Sequence, residues 1–161
     1  MSQLTQKERY LLEDQKSQEE ICVKKYNNYA QQAECPHLKQ LCKQLGQQEQ
    51  QHLNTINQIL SGQVPNMGQQ QSGQQNQQNQ QQGSQATNMQ GQTGMTNQQD
   101  ADLCTDLLST EKYVSGTYDT AIFEFRDANI RQALNHIQKE EQQHGEQIFN
   151  YMQSKGMYNL K

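Results

Sequence analysis

The sequence predicts an all-α protein, a four-helix bundle built from two repeated helical hairpins joined by a long Gln-rich crossover linker. Three observations predict it. Only 31% of the 161 residues are hydrophobic, but the polar surplus is local: 16 of the 35 glutamines fall between Gln63 and Gln99, and six of the ten glycines between Gly62 and Gly94. The flanking segments, 4–61 and 101–155, are rich in helix formers and each carries one break. The two segments also superimpose when the second is shifted by 92 positions.

The first helix starts near Leu4 and ends at Glu34-Cys35-Pro36-His37, because Pro36 disfavours helical geometry just before it. The second runs from there to about residue 61. Residues 63–100 form the Gln/Gly/Asn-rich linker between the hairpins at 1–62 and 101–161, which together make one domain. The linker has almost no apolar side chains to offset a backbone ordering cost of about 1–2 kcal/mol per residue, so it reads as disordered. The third helix ends at Arg126-Asp127-Ala128-Asn129, where Asp127 or Asn129 is placed to cap the fourth. If the hairpins pack about a two-fold axis, the second and third helices are parallel. The linker must then return ~45 Å, the length of a roughly 30-residue helix. A flexible chain of this length spans ~35 Å on average and extends further without strain.

Composition excludes several classes. A net charge of −4 and a pI near 5.5 offer no basic patch for nucleic acid. No apolar run approaches the ~20 residues of a membrane span. Met1-Ser2-Gln3-Leu4-Thr5-Gln6-Lys7 lacks the apolar stretch of a signal peptide, so a soluble intracellular chain is expected.

The repeat carries chemistry. Leu11 falls on Leu103, Tyr26 on Tyr118, Leu45 on Ile137 and Ile56 on Ile148. Glu19 falls on Glu111, Glu49 on Glu141 and His52 on His144. Shared amphipathicity explains the matching Leu and Ile, but not the matching Glu, Tyr and His. At ~100° per residue, Glu19 lies on the apolar stripe of Leu12, Cys22, Tyr26, Ala30 and Ala33, while Glu13 and Glu20 lie to the polar side. Glu49 is likewise surrounded by Leu38, Cys42, Leu45, Ile56 and Leu60. Glu111 lies among Cys104, Leu107, Val114 and Tyr118, and Glu141 among Ile130, Leu134, Ile137 and Ile148. Each histidine follows its glutamate by three residues, on the same face.

Four glutamates and two histidines are therefore expected in one core. Four facing carboxylates cannot all stay ionised unaided, because each unpaired buried charge costs several kcal/mol. They are either partly protonated or bound to cations. One Glu from each of two helices and Glu-x-x-His from each of the other two is the ligand set of ferritin-like di-iron and di-manganese proteins. The expected metal ligands are thus Glu19, Glu49, His52, Glu111, Glu141 and His144, around two divalent ions, iron or manganese. A core that keeps these residues without metal is the competing reading. Glu34-Cys35-Pro36-His37 has the same spacing, but Pro36 breaks the helix there.

Tyr26 and Tyr118 lie two turns beyond Glu19 and Glu111. They are either donors to metal-bound carboxylates or core tyrosines with other acceptors. Cys22, Cys42 and Cys104 lie on core faces as small hydrophobes. Cys35, in the turn, is the candidate for an intermolecular disulfide. The absence of Cys-x-x-Cys speaks against structural zinc. His136 falls off the stripe and is expected at the surface.

The second half resembles the Coat F domain of spore coat proteins. The residues that carry the resemblance are Asp106-Leu107-Leu108-Ser109-Thr110-Glu111-Lys112, Tyr118, Asn129-Ile130-Arg131, Glu140 through Phe149 and Met152 through Tyr158. The likeness covers about residues 101–158, with a more distant echo in the first half, and that family is related to ferritin-like proteins. The resemblance implies a structural spore coat protein made in the mother-cell cytoplasm, with other coat proteins as partners and homo-oligomers expected. The Gln-rich tract suits an assembled layer and offers acyl donors for transglutaminase crosslinking. The alternative function is an oxidoreductase acting on peroxide or oxygen, as rubrerythrins and manganese catalases do. No catalytic residue is assigned.

Overall fold

The structure, a computed structural model, describes residues 3–63 and 97–158. Four helices follow in order: α1 (Gln6–Gln32), α2 (Pro36–Leu60), α3 (Gln98–Glu124) and α4 (Ala128–Ser154). The protein is the all-α bundle of two hairpins that the sequence predicts. The stretch expected to be a disordered linker lies, over residues 64–96, outside the described residues.

Local chemistry sets the helix ends. Thr5 caps α1 in a reciprocal capping box with Glu8, and Asn97 caps α3 by accepting from the Asp100 backbone N–H. Asp127 caps α4 by accepting from the N–H groups of Asn129 and Ile130. Pro36 occupies the first position of α2, where its missing N–H costs nothing. Because Asn97 supplies a cap, α3 starts at Gln98, ahead of the boundary expected at residue 101. Gly62 and Gly156 follow α2 and α4 with φ of 85° and 68°, a conformation that favours glycine.

Within the bundle α1 pairs with α2 and α3 with α4, while α1 also packs on α3 and α2 on α4. Side-chain contacts make α1 and α3 antiparallel. Lys7 pairs with Glu124 at 2.6 Å near one end, Tyr26 reaches Glu111 midway, and Gln99 donates to the Gln32 carbonyl at the other end. The tight turn makes α2 antiparallel to α1, so α2 and α3 are parallel. The end of α2 and the start of α3 are then separated by about the length of α2, ~37 Å for 25 residues.

A polar layer divides the core. One apolar cluster holds Leu12, Ile56, Tyr118, Phe125, Leu134 and Ile137, and the other holds Tyr26, Ala33, Leu38, Leu45, Ile148 and Tyr151. Glu19, Glu49, His52, Glu111, Glu141 and His144 lie between them along every helix, all buried. Most members of one cluster are the 92-residue equivalents of members of the other. The repeat is therefore a pseudo-two-fold that exchanges the two ends of the bundle and passes through the polar layer.

The same symmetry builds two latches. Glu8, near the start of α1, accepts from the Arg126 backbone N–H at 3.0 Å in the α3–α4 turn, and its other oxygen meets the Arg126 guanidinium at 3.2 Å. Asp100, its repeat equivalent on α3, accepts from the N–H groups of Glu34 and Cys35 at 2.8 and 2.9 Å in the α1–α2 turn. Each hairpin thus holds the turn of the other with a buried carboxylate. Burial by itself raises the Glu8 carboxyl. The Arg126 and Thr5 donors outweigh it and hold the group at about 2.

A carboxyl held below its ordinary value stabilises the fold above that value and loses its contribution as pH falls towards the folded one. Glu8→Gln is expected to cost about 1–2 kcal/mol at neutral pH in denaturant unfolding. The gap to wild type should close as pH falls from 4.5 towards about 2. A gap independent of pH would contradict the latch.

Candidate metal centre

The centre sits where all four helices bring an acid to one level. On each helix the acid takes a core position because the apolar stripe runs through it, one turn from Cys22, Leu45, Val114 and Ile137. All six residues singled out from the sequence come together there. Exposure is 0% for Glu19, Glu49, Glu141 and His144, and 2% for His52 and Glu111.

The six form two overlapping groups. Glu19, Glu49, His52 and Glu141 each offer one ligand atom, all within 4.8 Å of one another, and so do Glu49, Glu111, Glu141 and His144. Glu49 and Glu141 belong to both groups, one from each hairpin. Glu19 and His52 lie on one side, Glu111 and His144 on the other. Either group could hold a metal ion.

Contacts in the layer cross between hairpins. His144 Nδ1 lies 2.8 Å from Glu49 Oε1, and His52 Nδ1 lies 3.1 Å from Glu141 Oε1. The rings stack with centroids 5.5 Å apart. Tyr26 donates to Glu111 Oε1 and Tyr118 to Glu19 Oε1. Of the two readings open for the tyrosines, the structure selects donors to the core carboxylates. Each serves the glutamate of the opposite hairpin rather than that of its own helix.

One oxygen of every glutamate has no hydrogen bond and meets only a histidine Nδ1, at 3.4 to 3.8 Å. The Oε2 atoms of Glu19, Glu49, Glu111 and Glu141 are buried and accept no hydrogen bond. Orphaned carboxylate oxygens are costly in a dry core. Four at one level, beside two imidazole nitrogens, form a donor set that fits divalent cations taking oxygen and nitrogen ligands.

Without a cation the carboxylates must share protons. Burial, then the Glu141 and Glu49 charges, push Glu19 well above the ordinary range. Burial and Glu141 push Glu111 the same way. Burial also acts on Glu49 and Glu141, but the two histidines outweigh it and lower both. Burial lowers the imidazoles, yet the carboxylates around them prevail. His52 is raised well above its ordinary value, and His144 to about 8. Two protonated acids and two imidazolium–carboxylate pairs are one arrangement of protons that compensates the metal-free layer.

One contributor was not legible in the sequence. Glu140 Oε2 lies 2.9 Å from His52 Nε2, the ring nitrogen turned away from the cluster. A proton on Nε2 would be donated to Glu140 and would fix the ring. His136 is half-buried and extends this chain, its Nε2 3.4 Å from Glu140 Oε1. Glu140 lies off the apolar stripe, so periodicity assigns it to solvent. Gln48 is its repeat equivalent. There, Gln48 Oε1 and His144 Nε2 have no partner.

Among the cysteines, Cys22, Cys42 and Cys104 are buried as expected, Cys35 is half-buried in its turn, and all four are free thiols.

Comparison with known proteins bears on the second hairpin. Residues 99–161 match the family model described as the Coat F domain, which bears out the resemblance read from Asp106–Lys112 and Glu140–Phe149. No curated protein and no solved structure matches the chain. The matched segment carries Glu111, Glu141 and His144, half of the six-residue layer.

The metal-free layer makes stability depend on pH in the opposite sense to Glu8. Glu19, Glu111, His52 and His144 all have raised values in the fold, so their contributions are present at low pH and lost as pH rises. In chelator, unfolding free energy should fall from pH 4.5 towards pH 8, the ordinary carboxyl value and the His144 value. Added divalent metal should reverse the slope, because cations replace those protons. A flat profile in chelator would sink this account of the layer.

Proposed function

We propose, from the Coat F domain carried by residues 99–161, that this chain is a spore coat component whose bundle retains a two-metal carboxylate centre. The metal half of this reading rests on one observation above the others: four buried carboxylate oxygens at one level have no hydrogen bond and share only two imidazole nitrogens, 3.4 to 3.8 Å away. Glu49 and Glu141, common to both groups, would serve both cations. Glu19 with His52, and Glu111 with His144, complete the two ends. Tyr118 and Tyr26 hold the unshared glutamates, and Glu140 holds His52. The ions are iron or manganese, because mixed oxygen and imidazole ligands suit both.

A redox metal pair, when bound, supplies electron transfer to peroxide or oxygen, and an oxidoreductase of that kind is the second reading. The complete six-residue set favours it, since a purely structural core would need no such set. The protein's own groups contribute position and protons. Glu19 and Glu111 give up protons as cations bind. The tyrosines keep each carboxylate oriented, and the apolar clusters on either side exclude water. A coat component with a redox centre unites both readings.

The coat role implies assembly with other coat proteins and with further copies of the chain. Its Gln-rich sequence between Gln63 and Gln99 suits crosslinking to lysines by transglutaminase.

Elemental mass spectrometry on purified, reconstituted protein should find about two iron or manganese ions per chain. The Glu49→Ala/Glu141→Ala variant should retain neither, because each residue serves both positions. Metal in the variant equal to wild type would overturn the centre. Peroxide disproportionation by the loaded protein, lost in Glu49→Ala, would establish the enzymatic reading. Its absence from fully loaded protein would leave the coat role alone. Transglutaminase should convert the protein into a crosslinked ladder, and a persistent monomer band would remove that partner.

A further inference from the structure

The pseudo-two-fold is broken over one face of the bundle, and the break opens towards one half of the polar layer. A cleft of about 820 Å³ lies along α3 and α4, with Glu111 and Glu141 among its lining residues. Its floor includes Ser115 and Gly145, and Leu108, Phe149 and Tyr158 give it an apolar wall. The 92-residue equivalents of Ser115 and Gly145 on α1 and α2 are Val23 and Leu53, both half-buried. The repeat thus carries larger apolar side chains on one face and small residues on the other.

Gly145 sits next to His144, in the turn that faces α3. A Cβ added there would stand 3.7 Å from Leu108 Cδ1 and 4.0 Å from Glu111 Cβ. Those distances are ordinary contact, so the helix does not need glycine for packing. What the glycine leaves is space beside Glu111. Glu111 and Glu141 line the same cleft, and the buried Oε2 of each has no hydrogen bond and lies 3.8 and 3.5 Å from His144 Nδ1. On the opposite side of the layer, His52 is tied down by Glu140, whereas His144 has no such tie.

We propose that the α3–α4 cleft admits a small ligand to the Glu111–His144 half of the centre, and that the Glu19–His52 half is closed. This rests on the two-metal reading above. The ligand class is a di- or triatomic oxidant or anion of the size of peroxide or azide. Glu111 is only 2% exposed, so the opening is narrow. Lys112 and Lys139 share the lining with Glu111, Glu141 and Glu146, so the charge is mixed and the size of the opening sets the ligand class.

The test uses the full chain loaded with cobalt(II), with azide as the probe and the visible absorption of the metal as the readout. Gly145→Leu copies the first hairpin and should weaken azide binding by about tenfold or more while metal content stays unchanged. Gly145→Ala, which the spacing tolerates, should weaken it less. Leu53→Gly, which removes bulk from the closed side, should not weaken it. If Gly145→Leu fails to load metal, the Gly145→Ala and Leu53→Gly pair carries the comparison. Equal azide binding in wild type and Gly145→Ala, with that pair alone available, overturns the proposal. So does equal azide binding in wild type and a loaded Gly145→Leu, or an equal effect of Leu53→Gly. Failure of wild type to bind cobalt overturns the two-metal reading itself, and is seen before any azide is added.

Discussion

Four carboxylates at one level of an otherwise apolar bundle are the constraint on which the rest of this structure depends. An ionised carboxylate in a dry core costs several kcal/mol unless it is compensated. Every feature of the layer compensates it. The tyrosines donate to two of the acids, the histidines pair with the other two, and the apolar clusters above and below keep water out. These contacts cross between hairpins, so the compensation also joins the halves. A bundle held only by apolar packing could slide by a turn. This one would lose matched hydrogen bonds by doing so.

The repeat explains how the contacts arise in pairs. A pseudo-two-fold through the layer turns each interaction into two: Tyr26 to Glu111 and Tyr118 to Glu19, His52 to Glu141 and His144 to Glu49. It also generates the latches, in which Glu8 and Asp100 hold the opposite turns. Parallel α2 and α3 follow from that symmetry, and they set the span between Leu60 and Gln98.

Function is more visible where the symmetry fails. Glu140 meets His52 Nε2, whereas its equivalent Gln48 leaves His144 Nε2 without a hydrogen bond, and Gly145 stands where the other hairpin has Leu53. Those differences give the two halves of the layer unequal surroundings. The Coat F match covers the second hairpin, α3 and α4, which is the half that carries the cleft.

The sequence by itself determined the helices, the repeat and the six residues of the layer. Those are consequences of periodicity: Glu19, Glu49, Glu111 and Glu141 lie on apolar stripes, and stripes face the core whatever the partner helix. α3 begins at Gln98, three positions ahead of residue 101, because the Asn97 side chain caps Asp100, whereas in the sequence Asn97 looks like one more polar residue of the Gln-rich stretch. Glu8 and Asp100 were within reach, since both are acids 92 positions apart. Their burial was not, because a helix start offers too few apolar neighbours to define a stripe. Tertiary structure alone decided which glutamate each tyrosine meets, that Glu140 supports His52, and that Gly145 opens a cleft. Those depend on the angle and height at which two hairpins dock. Helical periodicity fixes the direction of a side chain about its own axis, but not its position relative to another helix.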